Sequence, residues 1–378
     1  MLKFELIKLT TCDEISFEVG YHFDDSLPPH TGILMMHPTS DWKSHFMVKL
    51  LAQRGFGVIG CTNRYTGKEA ELILEDTLID WAACVDFLRA SGYQNIIGIG
   101  YSGGGEIAAG YHSEAVHPQI KGSARGDFPD FTKLTLSPLD GLVLLNAHAG
   151  RPHSITRSLD PSVGGLDGND PLDYNPDLDM YNPKNGPPFQ ADFRKSYHAA
   201  QIERNHKITR WCQSVVERIK TLGNPSMSDL TFIVHRADAN LAFLDKADDS
   251  SGLTIWAEDP RVSNYTPGPL RGPNTRLRAM TVKSWLSQRG LLSSQFDLFK
   301  FLPNCHIPTL VICGTADEGG TDQSQAMFDA APDPGKQLVW VKDLTHFMRG
   351  QEDKQAEVAD AIANFARTRG LMKARALT

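Results

Sequence analysis

The chain has 378 residues, 41% of them hydrophobic and 22% charged, with a formal net charge of −7. That length suits one large domain, or a domain carrying a substantial insertion. The acidic balance argues against a nucleic-acid surface, and no run of about 18 apolar residues suggests a membrane span. The first twenty residues alternate apolar and polar side chains and lack the apolar stretch and small-residue cleavage site of a secretory leader. Six cysteines (Cys12, Cys61, Cys84, Cys212, Cys305 and Cys313) are scattered without a C-x-x-C or a paired Cys/His spacing. Cys61 and Cys313 fall inside apolar, strand-like runs and read as small core hydrophobes. A cytoplasmic protein with reduced thiols is expected.

Residues 3–10 and 15–23 alternate and predict an antiparallel pair at a sheet edge. Gly32–Met36 reads as a buried strand that ends at His37-Pro38-Thr39-Ser40. Trp42, Phe46, Met47, Leu50 and Leu51 then recur at helical spacing and predict a helix over Trp42–Arg54, closed by Gly55. Phe56–Cys61 is the next strand. Glu69–Ala90 carries an apolar face and predicts a long amphipathic helix. Asn95–Tyr101 is a short, β-branched buried strand, followed by a helix over Ser102–Glu114. Leu139–Asn146 is another buried strand. The pattern then stops for about 150 residues. It resumes with a strand at Thr309–Cys313, a helix near Asp322–Ala330, a strand at Gln337–Val341 and a closing helix from about Lys354 to Thr368. Strands separated by such helices predict a mostly parallel sheet covered on both faces.

The interruption differs in character. It opens with a loop rich in Asp, Pro, Gly and Asn, from Leu159 to Pro183. A helix follows at about Phe189–Leu222, then a strand-like piece at Leu230–Val234 and an arginine-bearing loop, Asp259–Arg278. So long a structureless loop is implausible inside a compact domain. The expectation is a mostly helical insertion over residues 151–304, packed on the sheet's carboxyl edge as a lid. The core would then span 1–150 and 305–378. There is no internal repeat and no low-complexity tract.

Within this frame Gly100-Tyr101-Ser102-Gly103-Gly104 matches G-x-S-x-G in a strand–turn–helix context. A serine in such a turn is strained, needs small neighbours because strand and helix pass close to it, and projects towards the next helix's N-terminus. The plainer alternative is a glycine-rich turn with an incidental serine. A serine hydroxyl is a poor nucleophile near neutral pH, and needs a base that is itself oriented by a third group.

The order of elements, the elbow at Ser102 and a late acid and histidine resemble the α/β-hydrolase fold family over residues 15–150 and 305–370. The resemblance implies an α/β fold with a mostly parallel central sheet flanked by helices, here with a lid inserted after the sixth strand. It implies the chain order serine, acid, histidine. Asp317, beyond the Thr309–Cys313 strand, sits where the family carries its acid, with Glu318 in reserve and Asp322 and Asp343 nearby. His346, after the last strand, sits where the family carries its histidine. The oxyanion donors implied are the backbone N–H of Gly103 and one from the loop after Gly32–Met36. Family members often have His-Gly in that loop. This chain has His37-Pro38, and proline has no N–H, so Thr39 is the expected donor and Ser40 the alternative. His37 either buttresses the loop or merely ends the strand.

Candidate substrate contacts are Ser40, Tyr101, His148 and Arg236. Arg261, Arg271, Arg276 and Arg278 could bind an acidic group but could equally pair with carboxylates. Trp211, Trp256 and Trp285 could line a pocket or anchor the insertion. The cluster Asp167, Asp170, Asp173, Asp177 and Asp179 lacks the spacing and terminal glutamate of a calcium loop and reads as solvated turns. His112 and His117 flank Glu114 without completing H-E-x-x-H, and no phosphate-binding or dinucleotide fingerprint is complete. No metal and no cofactor are expected. The partner would be a small-molecule substrate, not a nucleic acid or a membrane, and a homo-oligomer remains open. The reaction implied is hydrolysis of a carboxylic ester or lactone. The alternatives are carbon–carbon or amide cleavage by the same triad, with which large lids occur in the family, or a catalytically silent ligand-binding relative.

Overall fold

The computed structural model describes residues 1–224, 226–237, 239–241, 244–245, 278–317, 321–332 and 335–373. The chain divides into two compact units: residues 1–69, 74–150 and 297–378, and residues 70–73 with 151–296.

The first unit is built on an eight-stranded sheet. Its strands are β1 (Leu2–Thr10), β2 (Ser16–Asp24), β3 (Thr31–Met36), β4 (Gly57–Cys61), β5 (Asn95–Tyr101), β6 (Gly141–Leu145), β7 (Thr309–Ala316) and β8 (Gln337–Thr345). Their order across the sheet is β1-β2-β4-β3-β5-β6-β7-β8. The pairs β1/β2 and β2/β4 are antiparallel, and every pair from β4 to β8 is parallel. Burial follows position. Every residue of β3, β4 and β6 is buried, as suits parallel strands covered on both faces, whereas β1, at the edge, is largely exposed. The helices of this unit are α1 (Phe46–Ala52), α2 (Leu74–Ala90), α3 (Gly105–Val116), the short α4 (Leu298–Phe301), α5 (Thr321–Ala330) and α6 (Glu352–Thr368). One main core joins α1 and α6 to the sheet through Met47, Leu51, Val58, Ile99, Ile312, Ile362 and Phe365.

Three boundaries differ most from the sequence reading. The helix expected from Trp42 begins at Phe46. Asp41 accepts the Lys43 N–H in a turn (2.9 Å), and His22 Nε2 donates to the Lys43 carbonyl (3.0 Å), so residues 41–44 are held against the strands and cannot coil. The helix expected from Glu69 begins at Leu74, after a short 3-10 turn at Glu69–Glu71. Residues 70–73 belong to the second unit, where the Leu72 carbonyl accepts from Ser284 Oγ (2.8 Å). The last strand runs on to Thr345, beyond the expected Val341.

The second unit carries a 32-residue helix, Ala191–Leu222, ended by left-handed Gly223 as helix C-termini commonly are. A shorter helix, Val282–Gln288, packs near it, and Trp285 Nε1 donates to Thr209 Oγ1 (3.0 Å). Thr231–Val234 pairs antiparallel with Arg278–Thr281, and Val163–Gly164 with Asp170–Tyr174. The unit ends at Phe296, so residues 297–304, expected in the insertion, belong to the first unit. All six cysteines are free thiols, and Cys61 and Cys313 are fully buried. No described helix is long and apolar enough to cross a membrane.

Candidate active site

The site lies in the first unit, where β3, β5, β6, β7 and β8 end. Ser102 follows β5 directly, in a left-handed conformation (φ +55°) that a non-glycine residue adopts at a cost. The glycines around it are sterically required. A Cβ at Gly100 would run into the Gly105 backbone, and one at Gly104 into the Met36 carbonyl. One 3-10 turn, Ser102–Gly104, leads into α3, whose N-terminus favours negative charge nearby.

Ser102 Oγ lies 2.9 Å from His346 Nε2, and His346 Nδ1 lies 2.8 Å from Asp317 Oδ1. All three side chains are buried. The carboxylate accepts the Nδ1–H, which leaves Nε2 as the acceptor for the serine proton. Asp317 follows β7 and His346 follows β8, so three residues far apart in sequence meet at one sheet edge. Glu318, the reserve acid, lies outside the described residues.

The other candidates are placed differently. The Tyr101 hydroxyl, read from sequence as a substrate contact, donates to the His346 carbonyl, and its ring stacks on the imidazole at 5.7 Å. It is occupied in holding the histidine. The Thr39 N–H donates to His37 Nδ1 (3.2 Å), and Ser40 Oγ lies 3.2 Å from the same nitrogen. His37 thus buttresses its own turn, and the Thr39 donor has a partner within it. Asn63 Nδ2 secures that turn by donating to the Pro38 carbonyl (2.8 Å).

Arg236 lies in the second unit, buried, with Asp160 at 2.6 Å and Asp179 at 3.2 Å. Two carboxylates of the chain itself already neutralise the charge that the sequence reading offered to a substrate. Trp285 is fully buried, and Trp211 packs on Phe232 at 5.1 Å. Trp256, Arg261, Arg271 and Arg276, and the Arg278 side chain, lie outside the described residues. Asp167 and Asp170 each accept a nearby backbone N–H (2.9 Å). Among the described residues no group of three or more His, Cys, Asp or Glu is placed to hold a metal ion.

Sequence reasoning misses Asn146, at the end of β6. It is fully buried with φ +42°, a conformation asparagine tolerates better than most residues. Its Oδ1 accepts the Gly314 N–H (2.9 Å) and its Nδ2 donates to the His346 carbonyl (3.3 Å). A terminal asparagine on an apolar strand is the available signal. His148, expected only as a substrate contact, has its Nε2 3.5 Å from Ser102 Oγ.

No protein-family model matches the chain, and no curated protein matches it in sequence. Solved structures do match in fold. DcsB, solved with a substrate analogue, is 13% identical with a TM-score of 0.56, over 97% of this chain and 100% of that one. The α/β hydrolase GrgF from Penicillium sp. sh18 is 10% identical with a TM-score of 0.55, over 97% and 99%. Est1E from Butyrivibrio proteoclasticus, solved with ferulic acid bound, is 14% identical with a TM-score of 0.52, over 97% and 100%. The chain has the α/β-hydrolase fold.

Proposed function

We propose that the protein is a serine hydrolase that cleaves a carboxylic ester or lactone of a small organic substrate through an acyl-enzyme. The observation that carries this is the unbroken relay from Asp317 through His346 to Ser102, at 2.8 and 2.9 Å. His346 takes the Ser102 proton as Oγ attacks the carbonyl carbon, and Asp317 stabilises the imidazolium. The Gly103 N–H donates to the oxyanion. The Thr39 N–H joins it by exchanging His37 for the substrate oxygen. The leaving group departs with the proton from His346, and water cleaves the acyl-enzyme by the same route.

The test is turnover of p-nitrophenyl esters and lactones, with diketones and amides alongside, by wild type and Ser102→Ala. Ester or lactone turnover should fall about 10⁴–10⁶-fold in the variant, and a fluorophosphonate should label wild type only. Wild-type turnover by Ser102→Ala would overturn the reading. Diketone cleavage without ester cleavage would replace the substrate class.

A further inference from the structure

Ser102 has two imidazole neighbours. His346 Nε2 lies at 2.9 Å and His148 Nε2 at 3.5 Å, and the two rings stack with centroids 5.3 Å apart and planes inclined by 19°. His148 is fixed to the elbow, because its backbone N–H donates to the Ser102 carbonyl (3.2 Å). The serine hydroxyl has one proton and two lone pairs. That proton goes to His346, whose Nε2 is an acceptor because Asp317 holds Nδ1–H. A favourable contact at His148 therefore requires its Nε2–H to donate to Oγ. At 3.5 Å the bond is long in the resting site, and such bonds tighten when charge develops.

We propose that His148 is a second catalytic imidazole, which stabilises Oγ as a leaving group during deacylation. This rests on the serine-hydrolase reading above. In that step water has added to the acyl carbon and given a proton to His346. The C–Oγ bond then breaks, its electron pair passes to Oγ, and His346 returns the proton to Oγ. The His148 N–H faces the oxygen on which negative charge grows. The free serine's alcohol oxygen already accepts from His148 before acylation, whereas the ester Oγ of the acyl-enzyme is a poor acceptor, so the donor lowers the deacylation barrier more than the acylation barrier. His148 therefore acts chiefly on one half of the cycle.

The test uses p-nitrophenyl acetate, whose good leaving group makes deacylation limiting, with His148→Phe, which keeps a ring but removes the donor. Expected are a fall in kcat of about 10–100-fold, a parallel fall in KM, and kcat/KM within about threefold of wild type. A burst of p-nitrophenol equal to the enzyme concentration and an acetyl adduct on Ser102 by intact mass should accompany them. His148→Gln, which retains an N–H donor, should recover part of kcat. Unchanged kcat in His148→Phe, or equal losses of kcat and kcat/KM without a burst, overturns the proposal. Fluorophosphonate labelling of Ser102 reports whether the variant site is folded, and His148→Leu, which also lacks a donor, is read in its place if it is not. Failure here with Ser102→Ala inactive removes only the role of His148, whereas an active Ser102→Ala removes the hydrolase reading itself.

Discussion

In the first unit the polar side chains of the candidate site gather at strand ends, and in the second a buried polar set lies along one helix. Ser102, Asn146, Asp317 and His346 each follow a strand and bond mainly to one another or to neighbouring loops. In the second unit Arg204, on the long helix, donates to the carbonyls of Gly168, Asp160 and His235. Gln201, one turn earlier, donates to those of Arg157 and Leu159 (2.8 and 3.0 Å). Burial holds the Arg204 guanidinium down to about 10. The first arrangement brings the side chains of the candidate site together at strand ends. The second satisfies loop carbonyls in the unit whose described residues include the apolar cluster Met180, Phe189, Tyr197, Ala239 and Leu241.

Substitutions can break this contrast. Asp317→Asn should lower kcat about 10³–10⁴-fold with little change in melting temperature, measured by steady-state kinetics and calorimetry. Arg204→Leu should do the reverse, costing about 3–5 kcal/mol of stability by leaving buried acceptors unpaired. Urea unfolding would show it, and an unchanged midpoint would contradict the structural role. Asn146→Ala sits between the two. It should cost about 2–3 kcal/mol and also lower kcat, because the His346 carbonyl loses a donor; unfolding and kinetics on the same preparation check both.

The smallest effect concerns pH. Burial pushes His112 down to about 4, and its Nδ1 has no hydrogen-bond partner among the described residues. A histidine depressed in the folded state binds its proton more readily when unfolded, so its contribution to stability is present above pH 6.5 and lost as pH falls towards 4. That amounts to about 2 kcal/mol between about pH 7 and pH 5. His112→Leu should flatten the decline of unfolding free energy over this interval by that amount, measured by urea unfolding at about pH 7 and pH 5. His45, also held near 4 by burial, should retain its own share.

Much of the fold is legible in the sequence because parallel buried strands leave continuous apolar runs, as in β3, β5 and β6. Ser102 is legible because its glycines are forced by backbone contact. The start of α1 is not, since residues 41–44 have helical spacing but are held by His22 and Asp41, a tertiary effect. Arg236 is ambiguous because an arginine in a loop reads alike whether its carboxylate belongs to a substrate or to Asp160. Tyr101 is ambiguous because sequence gives no direction for its hydroxyl.

The pairing of β6 with β7, Leu142 against Thr309, joins segments separated by most of the second unit. On a ribosome the strand that carries Ser102 emerges long before those that carry Asp317 and His346. On the proposed reading the elbow is therefore born inert, and the serine would gain its reactivity only once the residues following Ala316 and Thr345 have emerged and docked beside it.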